Sequence, residues 1–138
     1  MVPGLIVIDS SALVAILRRE AEADSYLRIV ASSSGTLLSS VGFLETSMVL
    51  AGRTGRQSAW SELDALIDEA AIEIVPQDPA QASEARLAFL RYGKGRHRAG
   101  LNLGDCASYA LAKLRYLPLL FKGDDFPHTD LTVALEQR

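Results

Sequence analysis

The sequence predicts an α/β protein of three layers, in which helices cover both faces of a central, mostly parallel sheet. Short apolar runs rich in Val, Ile and Leu alternate along the chain with longer stretches of helical periodicity. The first apolar run contains no polar residue, which is typical of a strand buried on both faces. A chain of 138 residues without an internal repeat or linker fits one domain. We therefore expect a single domain over residues 1–138.

Composition limits the class of protein further. Apolar residues make up 49% of the chain and charged residues 22%, as in ordinary folded domains. The net charge of −3 argues against a generally basic nucleic-acid-binding surface but allows a local basic patch. Cys106 is the only cysteine, so we expect a buried packing residue, no disulfide and a reducing cytoplasm. Neither a signal peptide nor a membrane span is expected.

The first strand and the two helices after it are predicted from apolar spacing. Residues 5–8 read Leu-Ile-Val-Ile, a β-prone run that ends at a carboxylate. A helix over residues 12–17 follows, and Ser10 or Ser11 is its predicted N-cap. A second helix is predicted over residues 23–31, because apolar side chains recur there at helical spacing.

The next stretch predicts one strand and two helices. A serine-rich loop precedes a short strand over residues 36–39. Ser40 is the predicted N-cap of a helix over residues 41–50, and Gly52 is predicted to close that helix. The following helix, over residues 58–70, carries large apolar side chains at a spacing that turns them inward.

The second half of the chain repeats the alternation. A strand over residues 72–75 is ended by prolines, and a long helix is predicted over residues 80–92. Another helix over residues 104–115 leads to a last strand over residues 119–121. The tail from Thr129 onward is compatible with a short edge strand or a terminal helix. Strands that alternate with helices imply parallel pairing.

Carboxylates stand where several of these elements begin or end. Asp9 follows the first strand, Asp124 and Asp125 follow the last strand, and Asp105 opens a helix whose first turn Asn102 helps to close. Ligands of open parallel sheets bind just beyond the carboxyl ends of the strands. Each acid alone is also an ordinary cap or turn residue. Their number at one edge indicates a functional site.

Glu45 is the other unusual acid. On its predicted helix, Val41, Leu44 and Met48 form an apolar stripe, and Glu45 lies within that stripe. Burying an unpaired carboxylate costs several kcal/mol, so we expect this side chain to be paired or bound to a metal. The alternative is a Glu at the edge of the stripe that reaches solvent or an arginine.

The acid set points to a particular kind of metal. Several carboxylates do not stay ionised side by side without a compensating cation. Oxygen ligands select hard ions, so Mg²⁺ or Mn²⁺ is expected. The two histidines, His97 and His128, lack a metal-ligand spacing, and zinc is therefore not expected.

A glycine-rich basic loop spans residues 93–100. It contains Lys94, Arg96, His97 and Arg98, the densest basic run of the chain, directly before the Asp105 helix. One hypothesis is a loop that follows an RNA phosphate backbone at the rim of the site. The other is an ordinary solvated charge run.

Taken together, these motifs resemble the PIN domain, and most closely its VapC-type ribonuclease toxins. The resemblance covers essentially the whole chain in order and spacing. It rests on Asp-Ser-Ser-Ala at residues 9–12, Glu45 on its helix, the basic loop, Leu-Asn-Leu-Gly-Asp-Cys at residues 101–106 and Phe-Lys-Gly-Asp-Asp-Phe at residues 121–126.

The resemblance implies a PIN fold and a Mg²⁺- or Mn²⁺-dependent endoribonuclease that assembles as a homodimer and is blocked by a cognate antitoxin. By position, Asp9, Glu45 and Asp105 match acidic motif residues, and Asp124 or Asp125 takes the fourth role. Ser10, Ser11 and Asn102 would support them. With no histidine pair or lysine among the acids, water activated by the metal is the simplest nucleophile.

Other classes of function fit part of the pattern. A receiver-like phosphoacceptor module also places acids at strand ends and a lysine, here Lys122, after the last strand. It would need an acidic residue next to Asp9, where serines stand. A PIN-fold interaction module without activity, and a nuclease that cuts DNA, are the remaining alternatives.

Overall fold

Four parallel strands form the central sheet, in the order β3-β2-β1-β4. The structure is a computed structural model and describes residues 4–55 and 57–135. The strands are β1 (Leu5–Ile8), β2 (Gly35–Ser39), β3 (Glu73–Val75) and β4 (Leu119–Leu120). In the register, Val7 lies between Leu37 and Leu119. The expected sheet is confirmed, and the outer residues of the domain predicted over 1–138 lie outside the described part.

In the part of the chain that the structure describes, six helices pack on this sheet. They are α1 (Ser10–Leu17), α2 (Ala23–Ser32), α3 (Ser40–Thr54), α4 (Ser61–Glu69), α5 (Pro79–Tyr92) and α6 (Leu103–Arg115). Short 3-10 turns cover Gln57–Trp60 and Phe126–His128, so the single helix predicted over residues 58–70 is divided. Within the described residues, none of the helices is long and apolar enough to cross a membrane.

The core lies on both faces of the sheet. Ile6 and Ile8 of β1 belong to one apolar cluster, together with residues of the α1, α2 and α4 layer. Val7, between them, belongs to the second cluster, with residues of α5 and α6. Successive side chains of a strand point to opposite faces, so a strand covered on both sides must be apolar throughout. This arrangement explains the uninterrupted first run and confirms the three layers.

Three predicted helix ends are wrong, each by a few residues. Asp9, rather than Ser10 or Ser11, is the N-cap of α1, and its carboxylate accepts a hydrogen bond from the Ser11 N–H. Ser39, rather than Ser40, caps α3 through the Val41 N–H. Carboxylates and hydroxyls both make good caps, so the sequence alone does not choose between adjacent candidates.

The end of α3 also differs from the prediction. The helix continues through Gly52 and ends at Thr54. Gly55, with φ +64°, is its C-cap, a left-handed conformation that glycine adopts without strain.

The tail is extended, as far as it is described. Val133 pairs with Leu119 in an isolated parallel bridge, and no helix follows in residues 129–135. Asp130 fixes this segment to α6 by accepting hydrogen bonds from Tyr109 Oη at 2.6 Å and Lys113 Nζ at 2.5 Å. The edge-strand alternative is therefore the nearer of the two predictions.

Candidate active site

Asp9 is at the centre of the acid cluster. It follows β1 at the carboxyl end of the sheet and is only 1% exposed. Its Oδ1 accepts a hydrogen bond from Ser108 Oγ of α6 at 2.6 Å, and its Oδ2 accepts one from the Ser11 N–H at 3.0 Å. A buried carboxylate needs such donors to offset its lost hydration. The two contacts fix the carboxylate between α1 and α6.

Ser108 was not predicted as a site residue. It lies three positions after Asp105 on α6, and residues at that spacing share one face of a helix. One signal in the sequence could have identified Ser108. It is a hydroxyl residue that shares a helix face with the candidate acid Asp105.

Replacing Ser108 with alanine is expected to lower the free energy of unfolding by about 2 kcal/mol, because the buried Asp9 carboxylate loses a donor. Ser47→Ala is the matched control. Ser47 is also buried, but its hydroxyl donates to the Phe43 carbonyl of its own helix, so we expect a loss below about 0.5 kcal/mol. Urea unfolding with a constant m-value measures both. Equal losses in the two variants would contradict the role of Ser108.

The predicted buried stripe of α3 is wrong, although Glu45 remains part of the cluster. Leu44 is 58% exposed and Met48 is 64% exposed. The buried face instead carries Thr46 and Ser47, whose hydroxyls donate to the carbonyls of Gly42 and Phe43 at 2.7 and 2.8 Å. Hydroxyls satisfied by their own helix can be buried at little cost, so the core-facing side of α3 looks polar in the sequence.

Glu45 is partly buried and faces α1 and α6. Its Oε1 accepts a hydrogen bond from Ser10 Oγ at 2.5 Å. On its other side the carboxylate lies against the backbone at Gly104, where no side chain intervenes. Glu45 is therefore hydrogen-bonded to a hydroxyl and only partly buried, and its role as a metal ligand stays a prediction.

Asp105 lies in the first turn of α6, in a capping box. Its N–H donates to Asn102 Oδ1 at 2.9 Å, and its Oδ2 accepts from the Asn102 N–H at 3.1 Å. Burial raises the pKa of Asp105 to about 7, against the effect of the hydrogen bond from Asn102, and the negative charges of Asp9, Asp125 and Glu45 raise it further. Asp9, Asp125 and Glu45 are therefore close enough to Asp105 for their charges to act on it.

Asp124 and Asp125 lie on an exposed loop of residues 122–125, the acid loop, which contacts α1 and α2. The backbone N–H of Lys122 donates to Ser11 Oγ at 2.9 Å. Its ammonium group contacts the carboxylates of Glu20 at 2.6 Å and Glu22 at 3.0 Å. Tyr26 Oη donates to the carbonyl of the preceding residue, Phe121, at 3.1 Å. These contacts attach the start of the acid loop to the α1–α2 pair.

Of the two acids on this loop, Asp125 is the one whose charge acts on Asp105. The acid loop ends at Phe126, which is buried and packs against the Phe121 ring with centroids 5.0 Å apart. The loop is thus anchored at both ends, and this favours Asp125 over Asp124 as the fourth acid.

The chemistry of these donors fits a divalent cation. All are carboxylate oxygens, and a cation among them would offset the repulsion that Asp105 experiences. Over residues 4–55 and 57–135, no three His, Cys, Asp or Glu side chains are placed closely enough to ligate one ion. Asp9 and Glu45 are instead directed to the hydroxyls of Ser108 and Ser10. The expectation of Mg²⁺ or Mn²⁺ at this site therefore rests on two features: the donors are carboxylate oxygens, and Asp105 is repelled by the acids around it.

The basic loop projects between α5 and α6. It is closed by a bridge between Gly93 and Leu101 and leads directly into Asn102. Lys94, Arg96 and Arg98 are exposed. His97 is instead held within the loop. Its Nδ1 accepts a hydrogen bond from the Ala99 N–H at 3.0 Å, and its ring packs edge-on against the Tyr92 ring, with centroids 5.2 Å apart.

Cys106 is buried beside the site, as predicted. Burial, with a smaller contribution from the charge of Asp105, raises the pKa of its thiol to about 11. A thiol that stays protonated is a poor nucleophile and metal ligand. Cys106 is therefore a packing residue.

The sequence of the chain is similar to a known protein family. The PIN domain model matches residues 6–131. VapC ribonuclease Mb0640 of Mycobacterium bovis is 50% identical over 130 residues, which cover 94% of this chain and 98% of that protein.

Two solved structures share the fold. One is Mycobacterium tuberculosis VapC20, described as a toxin that cleaves the sarcin-ricin loop, with a TM-score of 0.74, 18% identity and coverage of 94% of this chain and 98% of that one. The other is a toxin–antitoxin complex from Klebsiella pneumoniae, with a TM-score of 0.67, 19% identity and coverage of 93% and 95%.

Proposed function

The chain belongs to the PIN-domain family as a VapC-type ribonuclease toxin, and on that premise we propose that its acid cluster is a Mg²⁺- or Mn²⁺-dependent active site for RNA hydrolysis. One observation carries the proposal. Ser108 of α6 donates to Asp9, and Ser10 of α1 donates to Glu45. Glu45 also lies against Gly104, the residue before Asp105, so these acids meet at the carboxyl edge of the sheet. Because the chain belongs to the PIN-domain family, it is not a receiver-like phosphoacceptor module.

Asp9, Glu45, Asp105 and Asp125 would hold the cation by moving toward it, because no three side chains of this kind in the described residues are close enough to share an ion as they stand. Such a cation, when bound, activates water for attack on phosphorus and neutralises the charge that develops on the phosphate. The protein itself contributes by placing the carboxylates. Ser108 and the Ser11 N–H orient Asp9, and Ser10 orients Glu45.

Asp105 has a further property that suits this chemistry. Its pKa is raised to about 7 in the protein without metal, and a bound cation would favour the ionised carboxylate and so relieve the repulsion from its acidic neighbours. Its position in the capping box keeps one oxygen engaged with Asn102 and leaves the other available to the site.

The test of the proposed function compares an RNA and a DNA of the same sequence. Each is incubated with the purified protein in Mg²⁺, in Mn²⁺ or in EDTA, with Asp9→Asn protein as the control for contaminating nuclease. We expect cleavage of RNA that EDTA abolishes. Products ending in a 2′,3′-cyclic phosphate would contradict attack by water, and equal cleavage of the DNA would favour the DNA-directed alternative. Failure to cleave, together with failure to bind Mn²⁺, would favour an inactive interaction module.

We also propose that the basic loop contributes to RNA binding. Replacing Arg96 and Arg98 together with alanine is expected to weaken RNA binding roughly tenfold and to lower the slope of log Kd against log salt by about 1–2. Filter binding at several salt concentrations in EDTA measures this without cleavage. Arg115→Ala, at the far end of α6, is the control. An unchanged slope would leave the loop as a solvated charge run.

Two kinds of protein partner are proposed. An antitoxin is supported by the likeness to a toxin–antitoxin complex. A homodimer is supported by the exposed stripe of α3, because Val41 at its start lines an apolar groove of about 430 Å³ between α3, α5 and α6, and Leu44 and Met48 continue it on the surface. A second copy that covers this stripe would bury the apolar area that the monomer exposes. A cytoplasmic site of action is proposed as well, and it is supported by RNA as the proposed substrate.

A further inference from the structure

Gly104 occupies a position where a side chain does not fit. A Cβ atom there would lie 2.3 Å from Glu45 Oε1, 2.5 Å from Oε2 and 2.6 Å from Cδ. Separations under about 3 Å are not tolerated by real Cβ atoms. The backbone of Gly104 is ordinary right-handed helix near the start of α6. A side chain at this position would therefore displace the Glu45 carboxylate, which is the end of a flexible side chain, whereas the backbone conformation of Gly104 suits any residue.

The Glu45 carboxylate is held between two elements at this point. Ser10 Oγ of α1 donates to Oε1 at 2.5 Å. The same oxygen, together with Oε2, lies close to the first turn of α6 at Gly104, where the helix dipole favours negative charge. Close approach to that turn is possible only because Gly104 has no side chain.

We propose that Gly104 is a positioning residue of the nuclease site, which places the Glu45 carboxylate against the first turn of α6. The inference rests on the proposed function. It makes Gly104 a determinant of activity that touches neither RNA nor the reacting atoms. Its effect is transmitted through Glu45 alone.

Gly104→Ala tests the proposal, because alanine suits a helix at least as well as glycine but displaces the carboxylate. We expect kcat for RNA cleavage to fall about 100-fold with little change in KM. Mn²⁺ affinity, measured by calorimetry without RNA, is expected to fall about tenfold or more. Gly52→Ala is the matched control, since a Cβ at that helical glycine meets nothing within 4 Å, and both quantities should stay unchanged.

The Glu45→Ala background shows whether Gly104 acts through Glu45. In that background, adding Gly104→Ala should leave Mn²⁺ affinity unchanged and should not lower the unfolding temperature, because the clash is gone and alanine suits the helix. If Gly104→Ala alone prevents folding, the double variant should fold, because the clash is removed. A further loss in the double variant, or Gly104→Ala protein equal to wild type, would overturn the proposal. Wild-type protein that neither binds Mn²⁺ nor cleaves RNA would instead refute the proposed function.

Discussion

Replacing Asp9 with asparagine is expected to lower the rate of RNA cleavage by about 10³-fold or more. The substitution removes one negative charge from the centre of the acid cluster while keeping the shape of the side chain. Both oxygens of Asp9 accept hydrogen bonds, and an amide offers only one acceptor. We therefore also expect a loss of about 1 kcal/mol in unfolding free energy from the weaker cap of α1.

Initial rates in Mn²⁺ and urea unfolding in EDTA measure the two effects of Asp9→Asn. Asp68→Asn is a suitable control, because Asp68 is an exposed aspartate near the end of α4 and has no place in the cluster. The control should match wild type in both measurements. Equal cleavage by Asp9→Asn and wild-type protein would place the active site elsewhere.

Asp105→Asn is expected to abolish cleavage as well, but with the opposite effect on stability. The pKa of Asp105 is raised from 3.8 to about 7 in the folded protein. Between pH 3.8 and about pH 7, the folded state holds a proton that the unfolded state has lost. The free energy of unfolding therefore falls as pH rises through this range. Asparagine does not ionise, and its oxygen can still accept the hydrogen bond from the Asn102 N–H.

Without metal, Asp105→Asn should therefore be more stable than wild type at pH 8, by about 1–2 kcal/mol after allowance for the partial exposure of the carboxyl. At pH 4 the two proteins should differ little. Urea unfolding in EDTA at both pH values checks this. A variant less stable than wild type at pH 8 would mean that the capping box, and not repulsion among the acids, dominates at this position.

The acid cluster was largely predictable, because it follows from topology. A parallel sheet brings the carboxyl ends of its strands to one edge, so Asp9 and the acid loop were expected there from the apolar runs alone. Asp105 was predicted as a site residue because it stands at the start of a helix. The choice between Asp124 and Asp125 was not predictable, since it depends on how the loop turns after Gly123, whose φ is +117°.

The orientation of α3 was not predictable for a different reason. Periodicity analysis assigns apolar side chains to the core, yet in α3 the buried side chains include the hydroxyls of Thr46 and Ser47, while Leu44 and Met48 face outward. A surface that binds a partner has the same apolar pattern as one that faces a core. The apolar stripe that was the reason for selecting Glu45 is exposed, and the role of Glu45 in the site stays a prediction.

The contacts of the acid loop set a limit on how much heat the activity can withstand. Lys122 and the two carboxylates that it contacts are each about a third or more exposed, and ion pairs of this kind contribute little stability. Local opening of such segments needs less free energy than global unfolding. On warming, Asp125 should leave the cluster while the sheet is still intact. We therefore expect cleavage activity to be lost on warming before the sheet unfolds.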